Sequence, residues 1–181
     1  MGRSSGLTAE KWVEIGLKAL SSQGHEALKA DLLSKAQGVT RGSFYHHFSN
    51  VTDFHAAVID RWKEQATDRV ILAVEMPGDP RTALEKLLYL SFGRVERIER
   101  RMRIWAENDP LPRAAVEGID RRRVAYVTAL LGDMGYSPVV AATRANIIYD
   151  CYVGCALRRA PEPKELDDLV SEIINWCALP Q

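Results

Sequence analysis

The stretch GVTRGSFYHHF, residues 38–48, contains the densest set of chemically capable side chains in this sequence. It holds one arginine, one serine, one tyrosine and two adjacent histidines, which can donate hydrogen bonds, bind anions or transfer protons. Such a set is compatible with a catalytic centre, a metal site or a surface that binds phosphate groups. The spacing of these residues decides among the three.

Helical geometry separates these polar groups from the apolar residues between them. At 100° per residue, Phe44 and Phe48 lie 40° apart and share a buried side. The remaining residues lie outward or at the boundary: Gly42, Ser43, Tyr45 and His46 point outward, and Arg41 and His47 flank the buried side. A face of this kind is suited to approaching phosphates closely while donating hydrogen bonds to them.

Gly42 has two interpretations. An interior helical glycine costs about 1 kcal/mol relative to alanine, so it is an unfavourable choice without a purpose. Close approach of the helix backbone to a ligand would explain it. Alternatively, a glycine in the first turn is simply tolerated.

Metal binding and catalysis are the less favoured interpretations of the two histidines. His46 and His47 diverge by 100° on a helix and cannot chelate one metal, and no acid stands at the Glu-x-x-His spacing of helical metal sites. The sequence has no phosphate loop and no cysteine pair at zinc-finger spacing. We therefore expect no catalytic residues, no metal, no cofactor and no enzymatic activity.

The elements that position this stretch are helices. Nearly every segment has a 3.6-residue apolar period and none alternates like a strand, so the sequence predicts an all-α fold of about nine helices. The first runs from a Thr8 cap to Gly24, the second is short and ends near Gly38, and the third is the stretch itself. Two short helices joined by a turn and preceded by a third describe a helix-turn-helix.

Local capping chemistry sets the angle of the third helix. We expect the Thr40 hydroxyl to cap it, and Val39 and Phe44 to form a hydrophobic staple. These interactions would fix the helix against the first two helices and leave its polar face outward.

The rest of the chain is predicted to contain six more helices. The fourth begins near Asn50 and carries Ile71 and Val74; the fifth begins at Asp79-Pro80 and runs through Val95 and Ile98. A short sixth helix contains Met102, Ile104 and Trp105. The seventh runs to Gly135, the eighth from a Ser137 cap to Arg158 and Arg159, and the ninth from Lys164 to about Cys177. We divide the chain into a domain of residues 1–50 and a second domain of residues 51–181.

Composition excludes some classes of protein and leaves others open. The 181 residues include 24 Lys and Arg and 24 Asp and Glu, so only a local basic surface can bind nucleic acid. No apolar run is long enough for a membrane span, and we expect a cytoplasmic protein with no membrane partner. Cys151, Cys155 and Cys177 are expected to be reduced core thiols, with a redox role for Cys151 and Cys155 as the alternative.

The motif and its helical context resemble the TetR/AcrR family of bacterial transcriptional repressors. The motif match covers roughly residues 8–60, and the architecture is similar over the whole chain; RIWAEND at 103–109 and GIDRRRVAYVTALL at 118–131 also look like segments found in one part of the family. The resemblance implies a helix-turn-helix DNA-binding domain, a helical ligand-binding and dimerisation domain, and an operator of double-stranded DNA. The residues implied to lie at or beside DNA are Lys29, Thr40, Arg41, Gly42, Ser43, Tyr45, His46 and His47.

The second domain carries two further predicted sites. Small residues in the eighth and ninth helices favour close helix packing, either within one chain or in a bundle built by two subunits. The family resemblance implies the latter, a homodimer, with Ala145, Tyr149, Tyr152, Gly154, Ile173 and Trp176 at the interface. It also implies a pocket for a small-molecule effector, for which the aromatic and polar candidates are Trp62, Tyr89, Phe92, Met102, Trp105, Asp120, Arg123 and Tyr126.

One position departs from the family pattern. Relatives often carry a lysine just after the third helix, where this chain has Val51. One phosphate contact is therefore expected to be missing. Two hypotheses remain: a ligand-responsive repressor, or a helical module that binds a small molecule or a protein and whose helix-turn-helix has lost affinity for DNA.

Overall fold

The computed structural model describes residues 7–68, 79–93 and 97–178, and this part of the chain contains nine α-helices and no strand. The all-α prediction is confirmed. The helices are α1 (Ala9–Gln23), α2 (Ala30–Ala36), α3 (Arg41–Tyr45), α4 (Val51–Lys63), α5 (Pro80–Phe92), α6 (Arg97–Ala106), α7 (Pro110–Asp133), α8 (Pro138–Arg158) and α9 (Pro163–Trp176). A 3-10 turn, His25–Ala27, precedes α2, and a π-helical segment, Glu64–Asp68, follows α4. None of the described helices combines the length and apolarity needed to cross a membrane.

Caps in the sequence account for several helix ends. The Thr8 side chain accepts a hydrogen bond from the Lys11 amide at 3.3 Å, and Gly24 ends α1 with φ +94°. The Asn50 side chain accepts from the Asp53 amide at 2.9 Å at the start of α4. At α5, the Asp79 carboxylate accepts from the Thr82 amide at 3.1 Å, with Pro80 as the first helical residue.

Two caps differ from the prediction. Thr40 and Ser137 occupy the expected N-cap positions with extended backbone, but neither side chain makes a capping hydrogen bond. At Thr40 the backbone carbonyl instead accepts from the Ser43 amide at 3.0 Å, and this bond closes the first turn of α3. The geometry of the α2–α3 turn comes from Gly38, whose φ of +66° favours glycine.

The fifth predicted helix is shorter than expected. It ends at Gly93, whose amide bonds to the Tyr89 carbonyl at 3.0 Å, and Ile98 belongs to α6. The predicted extension of the fourth helix to Ile71 and Val74, and the position of Val95, lie outside the described residues. The second helix starts at Ala30, because residues 25–27 form a tighter 3-10 turn.

Two hydrophobic cores organise the helices. The first joins α1 to α4 with α6 and the beginning of α7, and the second joins α5, α7, α8 and α9. Gly16 permits the close packing of α1 on α4, since a Cβ there would lie 2.7 Å from both Phe54 and Val58 side-chain atoms. The first core thus binds the N-terminal module, which consists of α1 to α4, to α6, while the division of the chain at residue 50 stays a prediction.

Candidate functional site

The exposed face of α3 is held in place by an aromatic cluster beneath it. Phe44 is fully buried and packs edge-on against Trp12 at a centroid distance of 5.4 Å and against Phe54 at 5.1 Å. Phe48 lies 5.3 Å from Phe44 and 5.1 Å from Phe54. Because these rings come from α1, α3, α4 and the residues after α3, they fix α3 against the other three segments.

The predicted outward orientation agrees with the exposure of Gly42, Tyr45 and His46, whereas Ser43 is partly buried. The eight residues implied by the motif divide into two groups: Lys29, Thr40, Arg41, Gly42, Tyr45 and His46 are exposed, and Ser43 and His47 are partly buried. Tyr45 has 42% of its surface exposed, and the Arg41 guanidinium lies over its ring at 5.8 Å. The structure therefore brings the α3 residues onto one face; their contact with DNA stays a prediction.

His47 differs from its neighbour in having a partner inside the protein. Its Nε2 lies 2.5 Å from the carbonyl oxygen of Leu7, and since a carbonyl can only accept, Nε2 carries the proton and donates. His46 is exposed and packs against the His47 ring at 5.0 Å. Of the two imidazoles, only that of His46 faces solvent fully.

Gly42 is not required by packing within the chain. A Cβ at this position would meet only the Thr40 hydroxyl oxygen, at an ordinary contact distance of 3.6 Å. Its backbone conformation is helical, so φ gives no reason for glycine either. Packing and backbone geometry therefore do not explain Gly42, and its two interpretations are still close approach of a ligand from outside and simple tolerance.

Val51 is half-buried and packs against the first core at the start of α4. The sequence departure noted at this position therefore has an internal role, because the side chain contributes to the apolar contacts of the N-terminal module. No cation from this position extends the polar face of α3.

A second candidate site is a buried polar network between α6, α7 and α8. The Arg103 guanidinium donates to Glu99 at 2.8 Å, to Asp120 at 2.8 Å and to the Tyr149 hydroxyl at 2.9 Å. Arg123 donates to Glu99 at 3.2 Å. Glu99 is 3% exposed, so two guanidinium groups balance one buried and one partly buried carboxylate.

The network shifts the titration of its members. Burial would lower the pKa of Arg103, but the hydrogen bond with Asp120 and the charge of Glu99 raise it above its ordinary value. Burial raises the pKa of Tyr149, and burial with the charge of Glu99 raises the pKa of Tyr152 to about 12. Arg103 and Arg123 therefore stay charged at physiological pH, and Tyr149 and Tyr152 stay neutral. The network thus consists of fixed charges and hydroxyl groups.

The eight predicted pocket residues are divided by the structure. Asp120 and Arg123 belong to the network, while the other six are distributed as follows: Trp62, Met102 and Trp105 are buried in the first core, Phe92 is buried in the second, Tyr126 packs against the second, and Tyr89 is 36% exposed on α5. The ring of Tyr152 packs edge-on against Phe92 at 5.9 Å and beneath the Arg123 guanidinium at 5.2 Å. Phe92 is thus connected with the network through Tyr152.

Sequence reasoning did not identify Glu99 and Arg103. A signal was present, because Glu99 falls in the same helical stripe as Met102 and Ala106, at the i, i+3, i+7 spacing of a buried face. A carboxylate in an apolar stripe indicates a buried partner. The choice of Arg103 among Arg97, Arg100, Arg101 and Arg103 depends on which side of α6 meets α7.

The predicted interface residues lie partly inside the single chain. Ala145 and Ile173 are buried, Tyr149 is turned into the network, Tyr152 and Gly154 are half-buried, and Trp176 is 41% exposed. Beside them, α8 presents four apolar side chains to solvent: Val139 at 76%, Val140 at 39%, Ile147 at 45% and Leu157 at 43% exposure. A dimer interface at this surface stays a prediction.

Comparison with known proteins finds local sequence similarity to two curated regulators, and no protein-family model matches the chain. The transcriptional regulator AcuR of Cereibacter sphaeroides is 36% identical over 56 residues, which are 31% of this chain and 26% of that protein. The HTH-type transcriptional regulator AcrR of Shigella flexneri is 29% identical over 85 residues, which are 45% of this chain and 38% of that protein. The matched segments thus span between about a quarter and two fifths of these relatives.

Solved structures share the fold over nearly the whole chain. Reduced NemR of E. coli superposes with a TM-score of 0.77 at 18% identity, over 95% of this chain and 98% of that one. A TetR/AcrR family regulator of Thermobifida fusca superposes with a TM-score of 0.68 at 16% identity, over 93% and 95%. AibR, solved with isovaleryl coenzyme A and operator DNA, superposes with a TM-score of 0.71 at 13% identity, over 93% and 96%.

Proposed function

We propose that this chain, whose resemblance to TetR/AcrR transcriptional regulators is confirmed by the local sequence matches and the shared fold, is a repressor released from DNA by a small molecule. It would bind a pseudo-palindromic double-stranded operator as a homodimer in the cytoplasm. The observation that carries the proposal is the exposed polar face of α3 above a buried aromatic cluster. AibR, which has the same fold, was solved with operator DNA.

The exposed face of α3 has the composition that DNA contact requires. Arg41 and His46 can reach phosphates or base edges, and Tyr45 offers a hydroxyl and a flat ring. Gly42 places the helix backbone close to the surface without a side chain in between. These groups would fit a helix inserted in the major groove, with α1 and α2 positioning it.

The homodimer is supported by the apolar surface of α8. Val139, Val140, Ile147 and Leu157 expose apolar area that a monomer would leave in water, and Trp176 of α9 adds to it. Burial against a second copy would remove this area from solvent. The two DNA-binding modules of such a dimer would read half-sites whose centres lie about 34–36 Å apart, or a multiple of one DNA turn.

The effector is proposed to act on the region around the buried network. Arg123 links the network to the Ala66 carbonyl after α4, so a ligand that changes the network would act on the helix beside the DNA-binding module. AibR, solved with isovaleryl coenzyme A, is a relative by fold that binds a small molecule.

The experiment that tests the proposal is a fluorescence-anisotropy titration of duplexes from the DNA that flanks the coding region of this chain, with scrambled duplexes as competitors. We expect preference for one pseudo-palindrome. Tyr45→Ala and Arg41→Ala should weaken binding while the thermal melt stays nearly unchanged, because both side chains are exposed. Phe44→Ala should instead cost about 3–5 kcal/mol of unfolding free energy, as for a fully buried phenylalanine.

The competing hypothesis makes the opposite prediction. A helical module that binds a small molecule or protein would show no preference for any duplex, and Tyr45→Ala would change nothing in the titration.

Footprinting tests the dimeric arrangement separately. Protection of a single asymmetric half-site by one subunit would contradict it.

A further inference from the structure

Trp105 of α6 is held between two histidines of the N-terminal module. The His25 ring stacks on the indole with a centroid distance of 5.8 Å and an interplanar angle of 4°, and the His55 ring meets it edge-on at 5.0 Å. Trp105 is 2% exposed, and its Nε1 donates to the Asp109 carboxylate at 3.0 Å. A side chain of the second half of the chain is therefore fixed by the 3-10 turn and by α4.

From His25 a line of polar contacts continues to Lys29. The His25 Nε2 lies 3.1 Å from one Glu26 carboxylate oxygen, and the Lys29 ammonium lies 3.0 Å from the other. The hydrogen bond and charge of Lys29, followed by the charge of His25, lower the pKa of Glu26, so its carboxylate is ionised. Trp105, His25, Glu26 and Lys29 thus form one contact path from α6 to the start of α2.

The backbone next to Lys29 is held by His55, the second histidine that packs on the Trp105 indole. His55 Nε2 donates to the carbonyl of Leu28 at 3.1 Å, and Leu28 is fully buried. Lys29 follows directly and forms the N-cap residue of α2 with extended backbone. Its backbone is therefore held in place, while its side chain is 58% exposed and its ammonium is paired with Glu26.

We infer that Glu26 weakens DNA binding by competing with a phosphate for the Lys29 ammonium, and that His25 stacked on Trp105 of α6 holds the Glu26 carboxylate in that position. The inference rests on the proposed function, because it assigns Lys29 to a phosphate of bound DNA. An exposed pair three residues apart contributes little to folding stability, so a phosphate can displace Glu26. Because the Lys29 ammonium must leave Glu26 before it can bind the phosphate, this competition reduces the affinity.

Removing the Glu26 charge should strengthen binding through Lys29. Glu26→Gln keeps the size of the side chain, and we expect about a fivefold gain in affinity per dimer at low salt, since each exposed pair contributes modestly. The slope of log K against log salt should steepen by up to about 1.8 per dimer. Each Lys29 that neutralises a phosphate without a competing carboxylate contributes about 0.9 to the slope. In a Lys29→Ala background the same Glu26→Gln change should give little or no gain.

A control variant at Glu10 separates this effect from a general change in the charge of the protein. Glu10 is exposed at the start of α1, and Glu10→Gln removes one negative charge from the same module without touching Lys29. Any gain from Glu10→Gln should be the same with or without Lys29. If Glu26→Gln behaves in that way too, or leaves affinity unchanged while the wild type binds its operator, the inference is overturned.

The contribution of His25 and Trp105 is tested by a signal from the indole. In the wild type labelled with ¹⁵N, the Trp105 indole N–H resonance should shift when operator DNA is added, because coupling between two sites is reciprocal. His25→Ala should reduce that shift and reduce the gain from Glu26→Gln; His25→Gln serves as a second variant if the alanine variant melts early. An unchanged Trp105 shift in both folded variants would overturn the role of His25.

Failure of this inference and failure of the proposed function are distinct outcomes. A wild type that prefers no duplex overturns the function, and with it any role of Lys29 toward phosphate. A wild type that binds its operator, together with an inert Glu26→Gln, overturns the inference alone.

Discussion

The Arg123 guanidinium on α7 donates a 3.0 Å hydrogen bond to the backbone carbonyl of Ala66, in the π-helical segment after α4. It also contacts the buried Glu99, the Tyr149 hydroxyl at 3.5 Å and, through its charge, the Tyr152 ring. A carbonyl in a π-helical segment is displaced from the regular ladder of α-helical bonds. Arg123 therefore attaches the end of α4 to the charge network of α6, α7 and α8.

Arg123→Ala should lower the free energy of unfolding by about 3 kcal/mol, measured by urea denaturation. Removing one member of a buried ion pair leaves its partner's charge incompletely compensated, and Glu99 keeps only Arg103. Arg121→Ala is the control, since Arg121 is 74% exposed and lies 3.9 Å from Glu117 on the surface of the same helix. Equal effects of the two changes would show that the network contributes no more than a surface pair.

Gly42→Ala should weaken operator binding without loss of stability. Nothing inside the chain excludes a Cβ at this position, and alanine is favoured over glycine in a helix by up to about 1 kcal/mol. Gly118→Ala in α7 is the control, because a Cβ there meets no atom of the described residues around it within 4 Å. It should raise the thermal melt and leave the titration unchanged; equal DNA affinity of both variants would favour simple tolerance of Gly42.

Val51→Lys should steepen the salt dependence of DNA binding. The lysine stem can keep the contact of the half-buried valine with the first core while its ammonium reaches solvent. Two added phosphate contacts per dimer should increase the slope of log K against log salt by about 1.8, on the operator and on a scrambled duplex alike. Val51→Gln, which is polar without a charge, should not change the slope.

Gly154→Trp should produce monomers in sedimentation velocity and reduce operator binding with them. Gly154 is half-buried on α8, and a Cβ there meets no atom of the described residues around it within 4 Å. Gly132→Trp adds the same bulk at an exposed position of α7 where a Cβ also has open space. A Gly154→Trp protein that remains dimeric would place the interface on another surface.

The parts of the fold that sequence predicted depend on local chemistry. Thr8, Asn50 and Asp79 mark helix starts because a short polar side chain meets a free backbone amide. The burial of Phe44 beside the exposed Tyr45 follows from helical periodicity alone. Such features need no knowledge of distant residues.

The parts that sequence did not predict depend on contacts between distant segments. The pairing of Arg103 with Asp120 joins residues seventeen apart, and the stack of His25 on Trp105 joins residues from opposite halves of the chain. The Thr40 hydroxyl was expected to cap α3, but the backbone carbonyl of the same residue closes that turn. The end of α5 at Gly93 was missed because a single glycine in an apolar period does not by itself end a helix.

The absence of a side chain at Gly16 lets α1 and α4 pack directly and behave mechanically as one piece. Because α1 packs directly on Phe54 and Val58, we expect α4 to move together with α1, as a lever whose far end is the Ala66 carbonyl. From Val51 to Ala66 the lever is about 22 Å long, at about 1.5 Å per helical residue. A tilt of about 10° at the Ala66 end would move the module by about 4 Å, roughly one base-pair step of about 3.4 Å along DNA. In the proposed dimer, a displacement of that size in each subunit would take the two α3 helices out of register with their half-sites.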